Sequence, residues 1–377
     1  MFLLLAATVP AQHRQWIVDA SGGAGTDFTD LPPAIRVAVA GDVILVRPGS
    51  YSPFLLDKGV AIEGVAVTIG RSTTARPSVD IQNLPAGQHA ALRGLTLSDD
   101  LRPLGVANCP GSVLLDRLEF TPFTSSVATL AIDGASQVTI AGGTFRGRPA
   151  VQAVGSTVTI TDATLLAGPV TSPLGSASPA LVATHARVFL SRCTLTGGNN
   201  FPVAPAGPAI AAFTSQLVIT DDGSNLLQSG QGTSVAILRN EGGTLLLDPA
   251  VRFGAGVRVG GSGSVTTRPV PSLRGIGVAI GNVVNLDLFS PAGDIVLLLL
   301  GLPGPELVVP ELGGSAFLDP LSLSVPAVGV QGPGGHFLFP LAVPPDPNLV
   351  GVACVWQAVS GTLARGFWLS NAASYVH

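Results

Sequence analysis

Residues Val138–Leu165 read VTIAGGTFRGRPAVQAVGSTVTITDATL. The first eight and the last eight residues carry one pattern, twenty positions apart: apolar, any, apolar, a few small or polar residues, then apolar again. The pattern extends in both directions, as VAIEGVAV from Val60, ALRGLTL from Ala91, VLLDRLEF from Val113, VFLSRCTL from Val188, LVITDDGS from Leu217 and LLLDPAVRF from Leu245. With Val60, Ala90, Val113, Val138, Val158, Val188, Leu217 and Leu245 as anchors, the steps are 30, 23, 25, 20, 30, 29 and 28 residues. Two positions beyond each anchor stand Ile62, Leu92, Leu115, Ile140, Ile160, Leu190, Ile219 and Leu247, all Ile or Leu. Seven beyond stand Val67, Leu97, Phe120, Phe145, Leu165 and Leu195, and the register falters only in the last two repeats.

Residues two apart on a strand share a face. A period of 20–30 residues with short strands and turn residues is one coil of a β-solenoid, whose neighbours stack about 4.8 Å apart. A second strand precedes each anchor: LGVA at 104, LAI at 130, VQAV at 151, ALVA at 180, AIAA at 209 and VAIL at 235. The variable steps predict loops leaving the coils at fixed corners. The two longest, Gly168–Pro179 and Gly197–Pro208, are expected side by side. An irregular β-sandwich has similar turn spacing but predicts no unbroken Ile/Leu ladder.

Before the repeat, QWIVDA at Gln15–Ala20 reads as a strand. Phe28, Leu31, Ala34, Ile35 and Ala38 then recur at helical spacing. Thr29 or Asp30 suits the N-cap, Pro32 and Pro33 the first turn, and Gly41 the stop. Such a helix is expected to cover the open end of the stack. Beyond the last anchor, GGSGSVTTRPVP at Gly260–Pro271 reads as a linker. Short apolar runs between Gly/Pro turns then predict a small β-sandwich. The boundaries expected are 1–11 for a signal peptide (MFLLLAATVPA), 12–266 for the solenoid and 267–377 for the sandwich. A secreted or cell-envelope location follows from that leader.

The 377 residues are 46% hydrophobic and only 11% charged, with net charge −4, and Lys58 is the single lysine. No basic block is present, so nucleic acid is excluded as a partner. The longest apolar run, Ile295–Leu302, is too short to span a bilayer. Cys109, Cys193 and Cys354 are odd in number and widely spaced, which reads as free thiols rather than a disulfide framework or zinc site.

The opening WIVDASGGAGTDFTDLPPAIRVAVAGDVILVRPGSYSP, followed by VAIEGV, resembles pectin-lyase-like right-handed parallel β-helix proteins, with Gly41-Asp42 and Arg47-Pro48-Gly49-Ser50-Tyr51 as its motifs. The resemblance covers roughly residues 15–266. It implies an all-β right-handed parallel β-helix with an N-terminal capping helix. It also implies an acidic polysaccharide as the partner of any enzyme of this kind. Lyases of the fold gather carboxylates around calcium, hydrolases use two or three aspartates, and pectinesterases use two aspartates and an arginine on adjacent coils. The end of the chain, LVGVACVWQAVSG and LSNAASYV, resembles a C-terminal module of secreted planctomycete-type proteins.

Candidate catalytic residues are few. Asp99-Asp100 and Asp221-Asp222 are neighbours, which point to opposite faces of a strand, and Asp221-Asp222-Gly223 suits a turn. The histidines lack metal spacing. Gly254–Gly263 holds a G-x-G with no helix after it, so it is no phosphate loop. Four positions beyond successive anchors stand Arg117, Gly142, Asp162, Arg192 and Asp221. In register, Asp162, Arg192 and Asp221 stack on three coils. They form either a small site, with an aspartate as base and Arg192 holding an anion, or an exposed salt ladder. Trp356 and Trp368 offer a sugar-stacking platform or core packing.

Three functions remain open: a secreted non-catalytic protein that binds carbohydrate or is displayed on the surface, a polysaccharide lyase, hydrolase or esterase, and a structural or adhesin-like stalk. No cofactor is expected, calcium entering only with a lyase. A groove beside the long insertions with three or more convergent charged groups is what would favour the enzyme. Oligomeric state leaves no trace in the sequence.

Overall fold

The computed structural model describes residues 14–70, 78–98, 104–120, 128–168, 177–199, 206–220, 224–231, 236–275, 281–346, 349 and 352–376. Met1–Ala11, the stretch read as a signal peptide, lies outside them, as do Asp99, Asp100, Asp221 and Asp222.

The repeat folds as a right-handed parallel β-helix. Each coil contributes a strand to an anchor sheet, a short strand to a second sheet and one to a third. In the middle coils these are Thr157–Thr161, Thr164–Ala167 and Leu181–Thr184, each paired in parallel with its counterpart one coil away. The third sheet has nine strands, from Leu55–Leu56 to Val259–Gly260.

Strand alternation sends one residue in two inward, and pairing in register makes the inward residues a ladder. Ile62, Leu92, Leu115, Ile140, Ile160, Leu190, Ile219 and Leu247 are consecutive partners, all buried. The second ladder differs at its ends. An irregularity after Glu63 pairs Val67 with Leu95, so Ile69 is the partner of Leu97. In the last coils Leu227 and Phe253 continue the row from Leu195, because the turns before them are longer. The strand expected at 235–238 runs instead over Leu238–Glu241. The stretch read as a linker carries the final coil, with Ser264–Thr267 paired to Thr244–Leu247.

In four middle coils the corner between anchor and second sheet holds a left-handed residue, joined in one of them by a second, Gly143 at 92°. Arg117, Gly142, Asp162 and Arg192 have φ of 50°, 73°, 56° and 55°. The opposite corner repeats this with Gly155, His185 and Thr214 at 54°, 50° and 48°. Such a residue bends the chain within a two-residue turn in these middle coils, whereas the last two coils lengthen this corner and the insertions lengthen the one between second and third sheets.

The helix Leu31–Val37 closes the first coil and buries Leu31, Ala34 and Ile35. Asp30 is the N-cap. Its Oδ1 accepts from Leu31 N at 2.8 Å and Ser52 N at 2.9 Å. The cap motifs have structural roles. Buried Asp42 accepts from Arg14 N, Trp16 Nε1 and Val39 N at 2.9, 2.9 and 3.0 Å. Arg47 pairs with Asp19 at 2.9 Å, and Tyr51 Oη donates to Arg47 O at 2.7 Å.

The C-terminal part packs an antiparallel three-stranded sheet (Ser272–Gly275, Val283–Phe289, His336–Ala342) on a five-stranded one centred on Ile295–Gly301 and Ala353–Thr362. Leu286, Leu288, Val296, Leu298, Phe339 and Trp356 fill the space between. A hairpin of Pro303–Val309 and Gly314–Leu318 was missed in sequence. This sandwich lies on the outer face of the anchor sheet. Ala353 packs into the outward cluster of Val43, Ala61, Ala91 and Leu114, and Phe317, Leu318, Val355 and Ala372 pack on Phe189 and Val218. These β-helix residues form one outward row, with buried Thr139 and Thr159 in the middle.

Candidate functional site

The structure brings Asp162 and Arg192 together. They occupy equivalent left-handed corners of adjacent coils, linked by Asp162 N donating to Ser191 O at 3.2 Å, and Arg192 Nη2 donates to Asp162 Oδ1. The guanidinium side chain is 7% exposed and the carboxylate 37%. A buried cation needs a counter-charge, and Asp162 supplies it. Gly142 and Arg117 hold the same corner on the two preceding coils, and Arg117 turns to Asp116 at 3.3 Å. Asp221 lies outside the described residues.

A denser cluster stands one position earlier in the repeat. Glu63, Arg93 and Asp116, three beyond their anchors, are register partners on three coils. Arg93 Nη1 donates to Glu63 Oε1 and Nε to Asp116 Oδ2, both at 2.7 Å. The three side chains are largely buried at the edge of the surface that the sandwich covers. Sequence reasoning examined the turn position and passed over this one, although outward strand positions hold side chains more firmly than turns. Chemically the cluster offers a cation fixed between two carboxylates.

The insertions leave from the corner between second and third sheets. Their roots touch, with Gly198 N donating to Ser178 O at 2.8 Å and Gly230 N to Gly207 O at 3.0 Å. On the second sheet the outward row beside them is Ser50, Thr68, Thr96, Glu119, Thr144, Thr164 and Thr194, then Leu226 and Arg252. The five threonines are half-buried. Threonine is stiff about χ1, so a paired row holds its hydroxyls in fixed relative positions. On the third sheet the corresponding row is Asp80, Gly105, Ala131, Gln152, Val182, Ala211 and Arg239. Among the described strand residues of these two faces, charged groups neighbour each other only in twos, Glu119 and exposed Arg146 on adjacent coils and Arg239 with Glu241 at 2.8 Å. The convergent charged groove set out as the mark of an enzyme is therefore not found on these two faces among the described residues.

Neither tryptophan offers a free ring. Trp356 is buried in the sandwich core. Trp368 has Arg268 over one face, 3.0 Å from the ring centroid, and backs onto Gly313, where a Cβ would clash with the ring. All three cysteines are free thiols. Burial pushes the Cys354 thiol up to about 11 and that of Cys109 in the same direction. Among the described residues no group of three or more His, Cys, Asp or Glu converges as metal ligands. No helix among them is long and apolar enough to cross a membrane.

Fold and surface define a parallel β-helix protein with a sandwich fixed along one sheet. No family model matches the chain, and no curated protein matches it. Solved structures similar to it include the enzymatically active domain of tailspike protein 2 of bacteriophage CBA120, at 10% identity and TM-score 0.28, covering 97% of this chain and 72% of that one. Full-length tailspike protein 2 from Escherichia coli O157:H7 bacteriophage CAB120 aligns at 12% identity and TM-score 0.30, covering 97% of this chain and 65% of that one. At these scores the likeness bears on neither activity nor ligand.

Proposed function

We propose that this is a secreted or cell-surface β-helix protein that holds a polysaccharide, without cleaving it, along the hydroxyl-bearing face of the second sheet. The observation that carries the reading is the row Thr144, Thr164 and Thr194, extended on the same face by Thr96, Thr68 and Ser50. Its hydroxyls repeat at the strand spacing of about 4.8 Å, a step comparable to one sugar of an extended glycan. Both donate and accept, as sugar hydroxyls do.

Affinity electrophoresis of the full chain through gels holding pectin, alginate or neutral glucans tests this. Retardation by at least one polysaccharide is expected, relieved by Thr144→Val, Thr164→Val and Thr194→Val together. Unchanged retardation in the triple variant overturns the assignment of the face.

One observation favours a catalytic alternative: Glu63, Arg93 and Asp116 place two acids and an arginine on adjacent coils. That pattern resembles the pectinesterase arrangement, with glutamate in place of one aspartate. Release of uronate or methanol from pectin, lost in Glu63→Gln and Asp116→Asn, would establish it and remove the non-catalytic reading.

A further inference from the structure

We propose that the seam between β-helix and sandwich is a second ligand site, which takes a neutral, polyhydroxylated molecule such as one or two sugar units. A crevice of about 500 Å³ opens there, with Thr157, His185, Arg187 and Gln216 on the β-helix wall and Glu306 and Val308 on the sandwich wall. Its size is within the roughly 300–1,000 Å³ of small-molecule sites, which favour domain junctions. Neither domain forms it alone.

The β-helix wall is built by register. Thr157, Arg187 and Gln216 are partners on three adjacent strands, each two residues past a left-handed corner. His185 is one of those corner residues and is exposed at the mouth. Arg187 is held from three sides: Nε donates to Gln216 Oε1 at 2.7 Å, and Nη1 donates to Glu306 Oε1 and to Ser315 Oγ at 3.1 Å. Among the described residues its Nη2 group has no partner. Glu306 Oε2 accepts from Thr157 Oγ1 at 3.1 Å.

The charge balance selects the ligand. One fixed guanidinium and one fixed carboxylate face each other, so an anion meets Glu306 and a cation meets Arg187. A neutral hydroxyl satisfies both, accepting from Nη2 and donating to a remaining carboxylate lone pair. The Gln216 amide and the His185 ring add further polar contacts. The proposal does not depend on the threonine face, and different variants test the two.

The experiment is calorimetric titration of the full chain with maltotriose, cellotriose and N-acetylchitotriose, with trigalacturonate as the anionic comparison. At least one neutral trisaccharide is expected to bind, and trigalacturonate more weakly. His185→Ala and Gln216→Ala should each weaken binding about three- to tenfold, the effect of one lost hydrogen bond. Arg187→Lys, which keeps the charge across the seam and loses the fork, should do the same while the protein stays folded by circular dichroism. Absence of binding by all three neutral sugars overturns the proposal. So does preference for trigalacturonate, or binding that survives these variants unchanged. Binding lost only in the threonine triple variant assigns the sugar to the second sheet and likewise overturns it.

Discussion

Phe189 of the β-helix meets Phe317 of the sandwich edge to face, with ring centroids 5.5 Å apart and planes at 88°. An outward strand position would normally face water, so this contact fixes where the C-terminal part sits. Phe189→Ala empties a buried aromatic site and is expected to cost about 3–5 kcal/mol of docking. Differential scanning calorimetry should then separate the unfolding of the two parts. A single unshifted transition would contradict the packing.

The interior ladder and the turn ladder should respond differently. Ile160→Ala removes a buried step and is expected to cost about 2–5 kcal/mol in urea unfolding. At Asp162 the informative comparison is Asp162→Ala against Asp162→Gly. Both remove the partner of Arg192, but only glycine tolerates φ of 56° freely, so the glycine variant should be more stable by about 1 kcal/mol. Equal stabilities would mean the corner is not left-handed.

Arg93 ties Glu63 to Asp116, and its removal takes this cation from both carboxylates at once. Arg93→Ala should therefore destabilise by more than Glu63→Gln or Asp116→Asn alone, on the order of 1–3 kcal/mol against at most about 1. Equal effects in all three variants would deny the coupling.

The N-terminal cap should be acid-sensitive. The Ser21 hydroxyl, then Arg47, hold the Asp19 carboxyl at about 2, against an ordinary 3.8. A depressed carboxylate contributes stability that is present above its unfolded value and lost as pH falls through the folded one. Stability should thus decline between about pH 4 and 2, and Asp19→Asn should flatten that part of an acid titration followed by circular dichroism.

Burial holds the Cys354 thiol at about 11, so little thiolate exists at pH 8 and alkylation there should be slow. Iodoacetamide labelling followed by mass spectrometry should show Cys354 modified readily only after denaturation. Fast labelling of the native protein would place it at the surface.

The core was legible because strand alternation writes itself into the sequence: Ile140, Ile160 and Leu190 needed only a common anchor. The second ladder, through Phe145, Leu165 and Leu195, lost its spacing where turn length changed, at Leu227 and Phe253, since spacing cannot reveal that a longer turn restores the register. The docking of the sandwich left a fainter sign. Leu114, Phe189 and Val218 are apolar one position beyond their anchors, where an exposed sheet would carry polar groups, but the covering partner lies more than a hundred residues away. Asp162 and Arg192 were paired correctly from spacing. Glu63, Arg93 and Asp116 stand three beyond anchors already in line, and they escaped because the polar ladder was sought only at the fourth position, the turn.

Solenoids tolerate gain or loss of a coil, because each coil contacts only its neighbours. Here the sandwich grips the stack on separate coils, with Ala353 in the cluster of Val43, Ala61, Ala91 and Leu114 and, farther along, Phe317 on Phe189. Deleting one of the two coils between Leu114 and Phe189 would slide one contact by about 4.8 Å against the other. The C-terminal part thus acts as a gauge of length, and it would restrict this chain to a single count of coils.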